Sequence, residues 1–420
     1  MYYLKNKTLC LQALLPALAM LIFYIRDNSV ATTENLVITT AACLLFIAVP
    51  LASRKFIKNI DGYILPLICF LCSMSLIMML RLKMSLFHAQ FRWIVIGMIL
   101  MFLTIYFSEK LLRLLDYPYI LGLCSIIVIG SVIIFGTEIG GGLNWIVIGP
   151  FQMQPAEFSK LLILGFLASY LQENQNMLNL PNRHWGFLYL PPLRFFAPLV
   201  VIWGIALLIF VYQRNLGFAL LFFGMAMMMT YAVTSNKSYI FLAVVFFIIA
   251  SFFSYMVFAH VRVRVIIWLN PWADPMGQAY QIVQSLFALG YGGLFGTGFF
   301  QGSPEIIPIV HTDFIFSAIG EEFGLIGVLA VIMTYLLIFF RSIKIAFSCT
   351  NEKYKLLSFG IAGTMLLQSF IILAGDTKLI PLTGITLPFI SYGGSSMLSE
   401  FMAMGLLLAI SAKENYRARQ

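Results

Sequence analysis

The chain has 420 residues, of which 61% are hydrophobic and only 10% are charged, and its mean hydropathy is +0.94. So little polar surface excludes a soluble globular protein of this length and indicates a polytopic membrane protein. The formal net charge of +9 is interpreted as a topology signal, with a contribution from anionic lipid, and not as a sign of nucleic-acid binding.

Twelve apolar runs approach the roughly 20 residues that a membrane-spanning helix needs. They lie near residues 9–25, 36–52, 62–80, 93–107, 119–136, 158–171, 195–211, 216–233, 239–259, 314–340, 356–375 and 397–412. The sequence therefore predicts an all-α polytopic membrane protein with twelve spans.

Basic residues near span ends resist translocation, so their distribution predicts orientation. Most Lys and Arg residues fall in segments that are inner if the N terminus is cytoplasmic, namely 1–8, 53–61, 108–118, 172–194, 234–238, 341–355 and 413–420. Arg81, Lys83 and Arg92 run against this bias. We predict that both termini are cytoplasmic.

Residues 382–396 form a polar, glycine-rich passage between two apolar runs long enough to cross a bilayer. Its prolines, glycines and hydroxyl side chains exclude one uninterrupted helix, so its free backbone amides must meet protein, water or ligand. We interpret this passage as a candidate functional segment.

The predicted outer connection 260–313 is the longest in the chain and is unusually apolar for a loop. This composition predicts short amphipathic elements at the membrane surface. Long connections with structure of their own are more often functional than mere linkers.

Asp274 lies in this connection, and two interpretations of it stay open. An Asp before Pro275 is typical of a helix N-cap with proline at the first helical position, and residue types alone favour this structural role. Alternatively, a lone carboxylate among Trp268, Trp272 and Met276 is partly desolvated, which raises its basicity and suits a general base.

Charged residues inside predicted spans are costly and are usually paired or functional. Glu157 and Lys160 are three residues apart, on one helical face. They form either a local ion pair at a helix N terminus or a pair that reaches into a polar cavity between helices. Asp313 is placed to cap a later span, whereas the adjacent Glu321 and Glu322 lie too far along that span for capping.

Four motifs together resemble the SEDS family, the RodA, FtsW and SpoVE group of bacterial peptidoglycan glycan-strand polymerases. They are Asn-Trp-Ile-Val-Ile-Gly-Pro-Phe-Gln-Met-Gln-Pro-Ala-Glu-Phe-Ser-Lys (144–160), Asp-Pro-Met-Gly-Gln-Ala-Tyr-Gln (274–281), His-Thr-Asp-Phe-Ile-Phe-Ser-Ala-Ile-Gly-Glu-Glu (311–322) and Pro-Leu-Thr-Gly-Ile-Thr-Leu-Pro-Phe-Ile-Ser-Tyr-Gly-Gly-Ser-Ser (381–396). The resemblance covers about residues 62–412, ten of the twelve predicted spans.

The resemblance implies a division of the chain. Residues 62–412 are expected to form a ten-helix SEDS-type core, preceded by two additional N-terminal transmembrane helices within 1–61 and followed by a cytoplasmic tail at 413–420. The connection 260–313 then becomes a long structured extracytoplasmic loop between spans nine and ten.

The resemblance also implies a reaction, in which an inverting glycosyltransferase uses lipid II and undecaprenyl pyrophosphate leaves. The 4-hydroxyl of the incoming sugar must lose a proton, and the pyrophosphate must be stabilised. Asp274 matches the family's essential outer-loop aspartate and is expected to be the base. Further expected substrate-binding or cavity positions lie inside or beside the matched motifs: Trp145, Glu157, Lys160, Tyr280, Gln281, Lys378, Thr383, Ser391, Gly393, Gly394, Ser395 and Ser396.

Arg262 and Arg264 precede Asp274 and are candidates for contact with the pyrophosphate, although topology or binding of lipid headgroups explains them equally well. A divalent cation, Mg²⁺ or Mn²⁺, is expected to bridge the pyrophosphate, but no ligand set is readable from the sequence. No organic cofactor is expected. The family implies the bacterial cytoplasmic membrane, with lipid II, membrane lipids and a class B penicillin-binding protein as partners.

Three positions depart from the common family pattern. Ala156 replaces the more common serine. Asn144 stands where many members have arginine, and Asn215 stands where the usual motif has aspartate. These departures leave contacts near Asn144 open, as well as any role of Asn215 beyond packing.

Two rival functions remain. A lipid II flippase would use the same cavity and intramembrane charges, but it has no obvious need for a base at Asp274. A generic solute transporter is less consistent with the sequence, because internal two-fold repetition and broken helices at matching positions are not evident.

Overall fold

The computed structural model describes residues 14–25, 32–139, 141–149, 151–178, 183–185, 188–190 and 193–414. The terminal segments predicted to be cytoplasmic therefore lie largely outside the described residues. In chain order the described helices are α1 (Leu14–Ile25), α2 (Thr33–Phe56), α3 (Ile64–Leu82), α4 (Met84–Tyr106), α5 (Ser108–Arg113), α6 (Pro118–Phe135), α7 (Pro155–Glu173), α8 (Gln175–Leu178), α9 (Leu193–Tyr212), α10 (Leu216–Thr234), α11 (Lys237–Val257), α12 (Ala259–Leu269), α13 (Tyr280–Gly292), α14 (Ile315–Ser348), α15 (Glu352–Asp376) and α16 (Gly394–Lys413).

Within the described residues, nine helices are long and apolar enough to cross a membrane, namely α2, α3, α4, α6, α10, α11, α14, α15 and α16. The chain is therefore a multi-pass membrane protein. Three further helices coincide with predicted spans: α1 and the apolar part of α9 are shorter, and α7 contains Glu157 and Lys160.

Two small antiparallel sheets show that the all-α prediction was incomplete. The first orders β1 (Thr137–Ile139), β2 (Gly142–Ile148) and β3 (Phe151–Met153), and the second pairs β4 (Arg183–Trp185) with β5 (Leu188–Leu190). In the first sheet, Gly141 and Gly149 adopt positive φ at the two tight turns (79° and 59°). Glycine takes this backbone conformation without steric cost, which lets short β-prone stretches pair.

The connection 260–313 contains regular structure. It begins within α12, continues through a 3₁₀ turn at Pro271–Ala273, and contains α13 and a second 3₁₀ turn at Pro304–Ile306. The α13 helix buries Ile282, Val283 and Ala288. Its close approach to α14 requires glycine, because a Cβ at Gly292 would lie 1.9 Å from the Gly320 carbonyl oxygen.

The core lies mainly along α3, α7, α15 and α16, whereas α11 exposes most of its apolar surface. Exposed apolar side chains are expected on helices that face lipid. The Asn215 side chain accepts the Phe218 N–H (3.4 Å) and is the N-cap of α10. A capping role therefore accounts for an asparagine at this position.

Asp61 ties the start of α3 to α14. Its Oδ1 accepts the N–H groups of Tyr63 (2.8 Å) and Ile64 (3.1 Å), and its Oδ2 accepts two hydrogen bonds from Arg341. The Asp61 side chain is fully buried. Its replacement would leave helix amides and a largely buried guanidinium without a carboxylate.

We expect Asp61→Ala to lower the free energy of unfolding by about 3 kcal/mol, because breaking a buried ion pair strands the remaining charge. Thermal and denaturant unfolding in detergent micelles measures the loss. Asp116→Ala is the control, since Asp116 is exposed and pairs with Lys353 across 3.4 Å; it should cost at most about 1 kcal/mol. Equal losses in the two variants would contradict the role given to Asp61.

Candidate functional site

A buried charge cluster lies where α7, α15 and α16 meet. The Lys160 ammonium donates to Glu157 (Nζ to Oε2, 2.9 Å), Gln368 (Nζ to Oε1, 3.0 Å) and Glu400 (Nζ to Oε1, 2.5 Å). None of these four residues is more than 2% exposed. The cluster therefore joins three helices through one cation.

The start of α7 places Glu157 and Lys160 on one side of the helix. Pro155 occupies the first turn, where a missing N–H costs no helical hydrogen bond, and the partial positive charge there favours Glu157. Ser399 donates to Glu157 Oε2 (3.0 Å) and Thr386 to Oε1 (3.4 Å). Both carboxylate oxygens of Glu157 are thus hydrogen-bonded, as a buried charge requires.

Sequence reasoning missed Glu400 and Gln368. Glu400 is the one charged residue in the apolar run 397–412, and the rule that intramembrane charges are paired or functional would have found it. Its pairing with Lys160 joins residues 240 positions apart. In this conformation the four side chains of the cluster are almost fully buried, so they tie the three helices together.

The segment between α15 and α16 is irregular, as its sequence predicts. Gly384 has a φ of 70°. Buried side chains donate to the segment's carbonyl groups: Tyr335 Oη to Pro388 O (2.5 Å) and Ser75 Oγ to Ile390 O (2.7 Å). These bonds satisfy backbone groups that would be costly to leave unpaired in a membrane.

Ser391 and Gly394 hold this segment against other elements. Ser391 Oγ donates to Thr312 O (2.5 Å) and accepts the Leu387 N–H (2.9 Å). A Cβ at Gly394 would lie 2.5 Å from the Trp93 ring. The glycine therefore allows a close approach between α16 and α4.

Gly393 precedes the first turn of α16, which contains Ser395 and Ser396. Ser395 Oγ accepts the Gln154 N–H (3.0 Å), and the hydroxyl oxygens of Thr386 and Ser396 are hydrogen-bonded across 2.7 Å. Since Thr386 also contacts Glu157, Ser396 lies beside the Lys160 cluster, whereas Ser395 contacts the residue that precedes α7. In this structure their hydroxyl groups bind protein partners.

The α12 helix holds the other end of the irregular segment between α15 and α16. Arg264 Nη1 donates to Leu382 O (3.1 Å) and Thr383 O (3.2 Å), and Trp268 Nε1 donates to Lys378 O (3.1 Å). Burial lowers the pKa of the Arg264 guanidinium, although an arginine remains protonated. Arg264 is thus largely engaged with backbone carbonyls.

Arg262 has different surroundings although it is only two residues away. It is exposed, donates to Met256 O (3.0 Å) and lies 5.8 Å from the Tyr255 ring centroid. Of the two arginines predicted to contact pyrophosphate, Arg262 is the more accessible.

Asp313 and Arg264 converge on Gly384. A Cβ at Gly384 would lie 3.8 Å from Asp313 Oδ2 and 3.9 Å from Arg264 Nη2. Removal from water raises the pKa of Asp313, and the Thr312 hydroxyl and Arg264 act in the opposite direction. Asp313 is therefore more easily protonated than a carboxyl group in water.

Asp274 follows the first 3₁₀ turn of the connection and is exposed, as are Trp272 and Met276. The desolvation expected from these neighbours is therefore wrong for this structure. Asp274 Oδ2 accepts the Gln278 N–H (2.9 Å) and caps a turn. It is not the N-cap of α13, which begins at Tyr280.

The remaining predicted positions are distributed around the molecule. Tyr280 and Gln281 are half-buried at the start of α13, and Trp145 is half-buried on β2 opposite Thr137. Among the described residues, no hydrogen bond or ion pair links Asp274 to the Lys160 cluster. The structure thus brings together an inner group around Lys160 and an outer group around Arg264.

Glu321 and Glu322 hold the segment before α14 in place. Glu322 accepts a hydrogen bond from Arg81, which also pairs with Glu305 (3.0 Å). Glu321 Oε1 accepts the Ser303 N–H (2.7 Å). Both carboxylates thus bind groups outside their own helix, and neither caps it.

The described side chains offer few ligands for a metal ion. Among the residues that the structure describes, no three His, Cys, Asp or Glu side chains lie close enough to hold a metal ion together. The described side chains therefore do not form a dedicated metal centre.

The fold and site define a multi-pass membrane protein with a paired intramembrane charge cluster and a structured connection between α11 and α14. Residues 54–416 match the family FTSW_RODA_SPOVE, described as "Cell cycle protein". The chain belongs to this family, and the family resemblance of its motifs is confirmed.

Named relatives agree with this family assignment. The chain is 34% identical to the peptidoglycan glycosyltransferase RodA of Mycobacterium tuberculosis over 425 residues, covering 98% of this chain and 90% of the relative. It is 36% identical to the stage V sporulation protein E of Bacillus subtilis over 280 residues, covering 66% of this chain and 73% of that protein. The longer alignment includes most of residues 1–61.

Solved structures share the fold. One, described as "Structural coordination of polymerization and crosslinking by a peptidoglycan synthase complex", gives a TM-score of 0.69 at 26% identity, covering 84% of this chain and 98% of the other. The Thermus thermophilus rod shape determining protein RodA gives a TM-score of 0.59 at 25% identity, covering 84% and 96%.

We expect Lys160→Met to lower the free energy of unfolding by about 3–5 kcal/mol, because two buried carboxyl groups lose their cation. The triple variant Glu157→Gln, Lys160→Met, Glu400→Gln should regain much of this loss. Unfolding in detergent measures both. The exposed pair of Lys355 with Glu352 (3.1 Å) provides a control, Lys355→Met, expected to cost about 0.5 kcal/mol or less. A triple variant as unstable as the single one would refute a coupled cluster.

Asp313 gives a prediction for pH. The pKa of Asp313 is higher in the folded protein than in the unfolded chain. Its protonated form therefore contributes stability, which is fully present below the unfolded pKa of about 3.9. This stability is lost as the pH rises through the folded pKa. Above about pH 4, the Tm of the wild type should therefore fall relative to that of Asp313→Asn. The variant Glu352→Gln, at an exposed carboxylate, measures how much the Tm difference changes with pH when no buried carboxyl group is replaced. A Tm difference that does not change with pH, or that changes in the opposite direction, would rule this out.

Proposed function

We propose that the chain is a peptidoglycan glycosyltransferase that polymerises lipid II at the outer face of the bacterial cytoplasmic membrane. The observation that carries this proposal is the alignment of nearly the whole chain with relatives named peptidoglycan glycosyltransferase. The exposed Asp274 supports it, since a catalytic carboxylate must be reachable by the acceptor sugar.

In the proposed reaction, the 4-hydroxyl oxygen of the acceptor sugar attacks the anomeric carbon of the growing strand. Asp274 takes the hydroxyl proton, the new glycosidic bond forms with inversion, and the bond to pyrophosphate breaks with its electron pair leaving on the phosphate oxygen. Arg262, being exposed, is the better placed arginine to stabilise that charge. Arg264 instead positions the segment that precedes α16.

The proposed topology has twelve spans, made of the nine long apolar helices together with α1, α7 and α9. Both termini are then cytoplasmic, and the connection that carries Asp274 is extracytoplasmic. This orientation follows the distribution of basic residues.

The proposed partner is a class B penicillin-binding protein, which would cross-link the strands as they are made. The solved structure with the higher TM-score of the two comes from a complex described as coordinating polymerization and crosslinking. A divalent cation, where the reaction uses one, would be held mainly by the substrate's phosphates, with at most one or two carboxylates of the protein, as is common for Mg²⁺.

Asp274→Asn separates the two roles of this residue. The amide oxygen can still accept the Gln278 N–H, so the turn is kept, but the amide cannot act as a base. We expect glycan formation to fall by at least about 10²-fold, measured with purified protein and lipid II, with and without a class B penicillin-binding protein. Asp116→Asn should retain activity.

Two outcomes would contradict the proposal. Normal polymerisation by Asp274→Asn would exclude Asp274 as the base. Wild-type protein that makes no polymer under either condition, yet moves lipid II across vesicles independently of Asp274, would indicate a flippase instead.

A further inference from the structure

A cavity of about 560 Å³ lies between α13 and the segment 303–307. Its lining is mostly apolar and includes Leu286, Phe287, Tyr291 and Ile306. This volume falls within the roughly 300–1,000 Å³ typical of small-molecule sites. An apolar cavity of this size suits a hydrocarbon ligand.

Charge excludes an anionic group from the cavity itself. Its lining contains Glu321, whose Oε1 is fixed by the Ser303 N–H (2.7 Å). A carboxylate repels phosphate, and the cavity lining contains no Lys or Arg to offset it. The cavity is therefore suited to the chain of a lipid and not to its headgroup.

Exposed apolar side chains lie beside the cavity. Tyr291 is 75% exposed, and the neighbouring turn exposes Phe295. That turn is joined to α14 by a hydrogen bond from Leu325 N to Gly293 O (2.9 Å), and Ile326 beside it is also exposed. An apolar strip thus runs from a membrane-spanning helix to the cavity.

The cavity also lies close to the turn that contains Asp274. The Trp272 ring centroid lies 5.7 Å from that of Phe287, which lines the cavity. Asp274 follows two residues later. A chain bound in the cavity would leave its polar end near this carboxylate.

We propose that this cavity binds part of the hydrocarbon chain of a polyprenyl pyrophosphate substrate and so orients its sugar and pyrophosphate towards Asp274. This inference rests on the proposed function for the identity of the lipid. The acyl chain of a bulk phospholipid shares the same chemistry, so the experiment compares the two sources.

Gly290 allows the cavity to be filled. It lies on α13 among the lining residues, and a Cβ built on it meets no atom within 4 Å. Gly290→Phe starts from a Cβ in open space, so its ring is expected to obstruct the cavity. Gly130→Phe is the matched control, because Gly130 lies inside α6 and its Cβ also meets nothing within 4 Å.

The test uses the full chain in nanodiscs with two photoreactive probes, a diazirine-bearing undecaprenyl pyrophosphate and a diazirine-bearing phosphatidylglycerol. We expect the polyprenyl probe to label residues 284–291 and 303–307, and Gly290→Phe but not Gly130→Phe to abolish this labelling. Gly290→Phe should also raise the KM for lipid II by about tenfold with little change in kcat, as loss of uniform binding does.

Tyr291→Ala provides a second variant, since this exposed ring can be removed with little risk to folding; it should reduce labelling. The inference would be overturned if both probes label the cavity equally, or if neither variant changes the labelling. It would also be overturned if an added class B penicillin-binding protein protects the cavity from labelling. These results are independent of polymerisation. A protein that polymerises lipid II without cavity labelling refutes only the cavity, whereas labelling without polymerisation refutes only the proposed function.

Discussion

The Lys160 ammonium, held between Glu157 and Glu400, is the interaction on which the arrangement of the helices most depends. Lipid tails are as apolar as the helix surfaces, so burial of apolar side chains gives little preference for one helix register over another inside a bilayer. A buried cation with three fixed acceptors does give such a preference. Moving α7 or α16 would separate Lys160 from a carboxylate, and moving α15 would remove the Gln368 acceptor. The cluster therefore specifies geometry at a place where hydrophobicity cannot.

The irregular segment before α16 is held by the same cluster. Gln368 donates to Thr386 O (2.9 Å) while accepting from Lys160, and Thr386 in turn contacts Glu157. The segment is thus fixed from the inner side by the charge cluster and from the other end by Arg264. The glycine-rich passage 382–396 is therefore a connection held in place by hydrogen bonds, and most of its hydroxyl groups take part in those bonds.

The sequence predicted local features well and distant pairings poorly. Apolar runs located the long helices, and the spacing of Glu157 and Lys160 predicted their contact, because both features depend on neighbours in the chain. Glu400 was missed because its partner lies 240 residues away, and no local pattern encodes that distance. The short strands beside Trp145 were missed because a few β-prone residues between glycine turns carry too weak a signal.

The error about the surroundings of Asp274 is the most instructive, because it changes what the proposed reaction requires. The aromatic and apolar neighbours predicted a desolvated carboxylate, yet Trp272, Met276 and Asp274 are all exposed in the free protein. A carboxylate becomes a stronger base when water is removed from it. In the proposed reaction, that removal would come with the substrate or with a partner that covers Asp274 together with the exposed Trp272 and Met276.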